Sequence, residues 1–225
     1  MKIDFGRMKS IVFDFNGTLL FDDPMHVKAW DRISRELRGI GITPAELQEK
    51  INGVPNIKTI YYMSGGTFSS EQCQAYSRKK EAVYREICQG MGKDYRLVPG
   101  AEALFDRLKA RGIPFAIATA SIPDNVHFFM ESFRLDRWFS YEDIVLDDGS
   151  YSGKTEMFQE AFRRLHADPG ESLIFEDSDA GIRSAYETGC RNIIVVGGEK
   201  NRKDFGNRPG VVGLIRDFRE ILPAK

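Results

Sequence analysis

Short, nearly continuous apolar runs alternate along the chain with stretches in which apolar residues return every three or four positions. The runs Ser10 to Phe15, Pro114 to Thr119, Ser172 to Phe175 and Asn192 to Val196 predict strands covered on both faces. From Gly100 to Arg111, residues Ala101, Leu104, Phe105 and Leu108 fall on one helical face, with Pro99 as start signal and Gly112 as stop. The segments Asp124 to Phe133, Glu156 to Leu165 and Asp179 to Glu187 follow the same rule. Strands separated by helices predict an α/β fold with a doubly wound, Rossmann-like parallel sheet.

Residues 21–93 break that alternation. They keep helical periodicity and offer no convincing strand. Gly39, Gly41, the turn Asn52-Gly53-Val54-Pro55 and Gly65-Gly66 divide them into about four helices. The expected organisation is an α/β core formed by residues 1–20 and 94–225, with a small helical cap domain inserted at 21–93. Within the insertion, Arg78, Lys79 and Lys80 lie near Glu81 and Glu86, which predicts a solvated helix face.

Composition narrows the range of partners. Lys plus Arg number 32 against 33 Asp plus Glu, a net charge of -1, so nothing in the charge balance calls for nucleic acid or an anionic membrane surface. No apolar run approaches the roughly 20 residues of a membrane-spanning helix. Met1 to Met8 lacks the apolar stretch of a secretory signal, so a soluble, cytoplasmic protein is expected. Cys73, Cys88 and Cys190 are odd in number and far apart, which suits reduced thiols rather than a disulfide framework or a zinc site.

Three of the four predicted strands end in polar or acidic residues: Asp14 and Asn16 in DFNGT, Thr119 and Ser121 in ATAS, and Glu176, Asp177 and Ser178 in FEDS. Ligands of open α/β sheets bind beyond the carboxyl ends of the strands, so one crevice collects these groups. Crowded carboxylates repel, and an all-oxygen donor set points to Mg²⁺ as the relieving cation. One carboxylate, Asp14, is then placed to attack phosphorus and form an aspartyl-phosphate. Gly17 and Thr18 supply a tight turn whose amides suit phosphoryl oxygens. Lys154, in the loop before a helix, offsets charge on the transferring group, and Thr119 donates a hydrogen bond to it. The string from Gly149 to Thr155 imitates a nucleotide-binding P-loop but is one residue too short.

Taken together and in this order, the motifs resemble the haloacid dehalogenase superfamily, in the branch similar to β-phosphoglucomutase and sugar-phosphate phosphatases. The resemblance covers nearly the whole chain. It matches Asp14 to Thr18 with the superfamily's DxDGT, Thr119 with its second motif, Lys154 with its third, and Glu176 and Asp177 with its fourth. It implies that Asp14 is nucleophile and metal ligand, that Asn16 binds metal through its backbone carbonyl, and that Asp177 and Glu176 complete the site. Gly17, Thr18, Ala120 and Ser121, with His26 and Asn56 of the cap, are implied as substrate contacts. The expected partner is a small phosphorylated metabolite, not nucleic acid or membrane, and the chain is expected as a monomer or weak homo-oligomer.

One position departs from the pattern. The residue two places after the nucleophile is normally an Asp that protonates the leaving oxygen and activates water, and here it is Asn16. An amide has no titratable proton, and general acid–base catalysis contributes about 10²–10⁴-fold. Three accounts stay open: a slow phosphatase, a phosphatase acting on a good leaving group, and an engineered replacement of the aspartate. A degenerate binding protein is the alternative from another class. A mutase is disfavoured because it moves protons at two hydroxyls and because Asn56 stands where mutase caps carry Arg. A phosphonate hydrolase needs a cap lysine at a position that Lys58 does not match.

Overall fold

The structure, a computed structural model, describes residues 5–198 and 204–223. It divides into two compact units, Met1–Phe21 with Arg96–Lys225, and Asp22–Tyr95.

The first unit is built on five strands: β1 (Ile11–Phe13), β2 (Phe115–Ile117), β3 (Leu173–Glu176), β4 (Ile193–Val196) and β5 (Val211–Ile215). They lie in the order β2-β1-β3-β4-β5, and every pairing is parallel. All residues of β1, β3 and β4 are buried, as strands with helices on both faces must be. The helices are α5 (Ala101–Ala110), α6 (Pro123–Phe133), α7 (Lys154–Arg164) and α8 (Asp179–Glu187). One core cluster joins Val12, Ile174, Ile193 and Val195 of the sheet to Met157, Phe158, Ala161 and Phe162 of α7 and Ile182 and Ala185 of α8. Aromatic rings fill another region, where Phe13 stacks on Phe175 at 5.0 Å and meets Phe105 edge-on at 5.3 Å.

β5 is the strand that the sequence pattern does not reveal. Its burial alternates irregularly around Gly213, so it lacks the continuous apolar run of a central strand. At the place where the first unit is interrupted, the Val98 N–H donates to the Leu19 carbonyl at 2.8 Å, which holds the outgoing and returning chain side by side.

The second unit contains α1 (Asp23–Arg38), α2 (Pro44–Glu46, continued as a wider turn over Leu47–Ile51), α3 (Asn56–Met63) and α4 (Ser70–Gly90). Capping boxes begin two of these: Thr43 with Glu46, and Ser69 with Gln72. Lys80 corrects the expectation of a solvated basic face. Its side chain is 3% exposed, and its ammonium contacts Glu81 Oε1 at 2.9 Å and His26 Nδ1 at 2.8 Å. Packing of α1 against α4 buries it, an effect that periodicity along α4 cannot register.

Candidate active site

The strand order places a reversal of winding beside β1, where the chain leaves to β2 on one side and β3 on the other. A crevice opens at such a point beyond the carboxyl ends of the strands. Asp14 follows β1 directly and is anchored by its N–H, which donates to the Phe175 carbonyl of β3 at 3.0 Å. Thr119 lies just past β2, with its N–H bonded to the Val145 carbonyl at 2.8 Å. Glu176 closes β3 and Asp177 comes next, before Ser178 caps α8 by accepting from the Gly181 N–H at 3.0 Å. Lys154 is the first residue of α7, so the helix begins two positions earlier than its periodicity suggests.

Asp14, Glu176 and Asp177 each offer an oxygen, and these atoms lie within 4.8 Å of one another. The Lys154 ammonium is bonded to Asp14 Oδ1 and stands 3.7 Å from Glu176 Oε1. Burial pulls that ammonium down, but the attraction of Asp14, Glu176 and Asp177 outweighs it and carries Lys154 above its ordinary value. Burial, followed by the charge of Asp14, pushes the Glu176 carboxyl up to about 7, against the opposing pull of Lys154 and the Ser178 and Asp177 amides. Glu176 Oε2 accepts from the N–H groups of Asp177 and Ser178, both at 2.6 Å, and from the Ser178 hydroxyl at 3.0 Å. Three carboxylates against one ammonium leave an excess of negative charge on oxygen donors alone. A hard divalent cation of the Mg²⁺ kind fits that donor set.

Two glycines make the close approach feasible. Gly17 has φ 80° and a side chain there would run into the Asp177 carboxylate; a side chain on Gly181 would run into Glu176. Thr18 is fully buried and its hydroxyl donates to Asp177 Oδ1 at 3.2 Å. Asn16 belongs to a separate group of contacts: its Oδ1 lies 2.6 Å from the Ser121 hydroxyl and 3.4 Å from that of Thr119. Ala120, between them in sequence, is exposed.

His26 and Asn56 are in the second unit. The His26 ring stacks on Tyr84 at 4.0 Å and its Nε2 lies 3.2 Å from Asp22 Oδ2. The Asn56 amide donates to Glu81 Oε1 at 2.7 Å and to Ser77 at 3.3 Å. Tyr84 donates to Asp22 Oδ2 at 2.5 Å. The buried set of Lys80, Glu81, Asp22 and Tyr84 was not marked by any motif; the only signal was the conjunction of charged residues with helical positions facing α1. The three cysteines are free and buried, and burial pushes the thiols of Cys88 and Cys190 up to about 11. Among the described residues, no helix is long and apolar enough to cross a membrane.

Acids at the ends of adjacent parallel strands, a lysine at a helix start and a glycine turn after the first acid lie together on a doubly wound α/β sheet, in the order of the motifs read from the sequence. The chain belongs to the haloacid dehalogenase-like hydrolases, whose family match runs over residues 8–187. A haloacid dehalogenase hydrolase of family IA, variant 3, from Entamoeba histolytica superposes with a TM-score of 0.88 at 32% identity, covering 96% of each chain. A β-phosphoglucomutase from Clostridium difficile shares the fold, with a TM-score of 0.73 at 18% identity over 96% of this chain and 93% of that one. Among curated relatives, the phosphorylated carbohydrates phosphatase of Thermotoga maritima is 23% identical over 96% of this chain and 97% of its own length. Hexitol phosphatase A of Escherichia coli is 26% identical over 84% of this chain and 83% of its own.

Proposed function

We propose that the chain is a Mg²⁺-dependent phosphatase of small phosphorylated metabolites, carbohydrate phosphates among them, working through a phosphorylated Asp14. The observation that carries this is the meeting of Asp14, Glu176 and Asp177 within 4.8 Å beside a partly buried Lys154. The named activities of the relatives support the substrate class.

Asp14, Asp177 and Glu176, with the Asn16 backbone carbonyl, would hold Mg²⁺, which when bound offsets negative charge on the phosphoryl oxygens. Asp14 then supplies the nucleophilic oxygen and Lys154 keeps its carboxylate oriented. The Thr119 hydroxyl binds an oxygen of the transferring group, where preorganised donors are most effective; the Gly17 and Thr18 N–H groups, held by the Leu20 and Phe15 carbonyls at 2.7 and 3.3 Å, do not take that part. Water hydrolyses the acyl-phosphate in a second step and regenerates Asp14.

Phosphate release from p-nitrophenyl phosphate by the purified chain tests this. Release is expected with Mg²⁺, and is expected to stop with a chelator and in Asp14→Asn. A chain that binds Mg²⁺ but releases no phosphate is a degenerate binding protein instead, a reading that the amide at Asn16 favours.

A further inference from the structure

Lys154 is the first residue of α7, a place that suits a cation badly, because the N–H groups of a helix start carry positive charge. Its ammonium is nevertheless bonded to Asp14 Oδ1 and lies 3.7 Å from Glu176 Oε1. The stem that carries it is long and has four rotatable bonds, and the side chain is 15% exposed, so water is an alternative place for the charge. A third contact comes from α7 itself. Side chains in a helix lean toward its N-terminus, so a residue four places on covers the turn before it. That residue is Phe158, and the Lys154 ammonium stands over its ring, 5.2 Å from the centroid. Phe158 is fully buried in the cluster that joins Val12 and Ile174 of the sheet to Met157, Ala161 and Phe162 of α7. The ring is therefore fixed, and its face is the negative part of the aromatic quadrupole.

We propose that Phe158 is a positioning residue of the phosphatase site, whose ring holds the Lys154 ammonium against Asp14 through a cation–π contact. This rests on the phosphatase reading above and adds to it a residue from the core. Carboxylates alone attract an ammonium without fixing it, since a compact charge on a flexible stem can slide between Asp14 Oδ1 and Glu176 Oε1. Two carboxylate oxygens and one immobile ring face leave it a single seat. With the ammonium fixed, the Asp14 carboxylate keeps one orientation for attack, and the rate of attack depends steeply on orientation. The ring exchanges no proton and forms no bond, so its contribution falls on kcat and leaves KM unchanged. An aliphatic side chain at position 158 would fill the core and leave the cation unheld.

The test uses the full chain with Mg²⁺ and p-nitrophenyl phosphate, with the phenylalanine at position 158 replaced in turn by its mono-, di- and trifluorinated analogues. Fluorine nearly keeps the shape of the ring while it withdraws charge from the face stepwise, so packing and cation–π attraction are separated. kcat is expected to fall at each step, by about 2- to 30-fold in all, with KM and Tm nearly unchanged. A second readout needs no turnover. In spectra of nitrogen-labelled lysine side chains of the full chain, the ammonium resonance that is missing from Lys154→Met is expected to be displaced upfield by the ring and to move back in Phe158→Leu. One kcat across the fluorinated series, or a Lys154 resonance that Phe158→Leu leaves in place, overturns the positioning role. If the unsubstituted chain releases no phosphate, the phosphatase reading falls, and the Lys154 resonance then decides the ring contact alone.

Discussion

Replacing Lys154 by Met removes a partly buried ammonium that faces Asp14 and Glu176. Its side chain is 15% exposed and those of Asp14 and Glu176 are 7% and 2% exposed, so solvent screens the remaining carboxylates poorly. Breaking such a buried pair from one side costs about 3–5 kcal/mol. Protonation of Glu176 is the available relief. Its carboxyl already stands at about 7 in the folded chain against an ordinary 4.5, so the native state binds more protons across that window and stability falls as pH rises through it. At pH 6 that proton is already held in the native chain, so its cost is common to both proteins and cancels, whereas at pH 8 the variant must either take it up or keep an unpaired buried charge. The penalty of Lys154→Met measured by urea unfolding without metal is therefore expected near 3–5 kcal/mol at pH 8 and clearly smaller at pH 6. Added Mg²⁺ is expected to recover at least half of the loss at pH 8. Equal losses at both pH values, or no recovery with Mg²⁺, would refute the picture of an anionic cluster waiting for positive charge.

Gly17→Ala is expected to destabilise the chain by about 2 kcal/mol or more, from the positive φ and the collision with Asp177, and to abolish the rise in Tm on adding Mg²⁺. Tyr84→Phe leaves Asp22 without its buried hydroxyl donor, so urea unfolding is expected to show a loss of about 1–3 kcal/mol. The Arg38 hydrogen bond holds the Glu46 carboxyl down at about 2 against an ordinary 4.5, so its stabilisation is present above pH 4.5 and fades as pH falls toward 2. Glu46→Gln, which can keep the capping geometry, is expected to cost about 1–2 kcal/mol at pH 7 and almost nothing at pH 2.5, measured by urea unfolding at both.

Strands β1 to β4 were legible because their burial leaves continuous apolar runs, and the acids that close β1 and β3 were legible as groups that meet. β5 was not legible, since an edge strand half open to solvent and interrupted by Gly213 carries no such run. Lys80 misled because three consecutive basic residues on α4 look alike in sequence, while their exposure depends on α1, 54 residues away at His26. The strand-end position of Ser121 was visible, but its partner Asn16 lies 105 residues earlier, and only the register of β1 beside β2 brings them together. The contact of Gly17 with Asp177 was hidden in the same way, because a turn glycine in sequence does not announce the side chain that needs its missing Cβ.

The hydrogen bond from Val98 to Leu19 fastens the two cut ends of the sheet-bearing unit to each other. The chain therefore departs from that unit and rejoins it at a single seam, and residues Asp22–Tyr95 interrupt neither the order of the strands nor their parallel pairing.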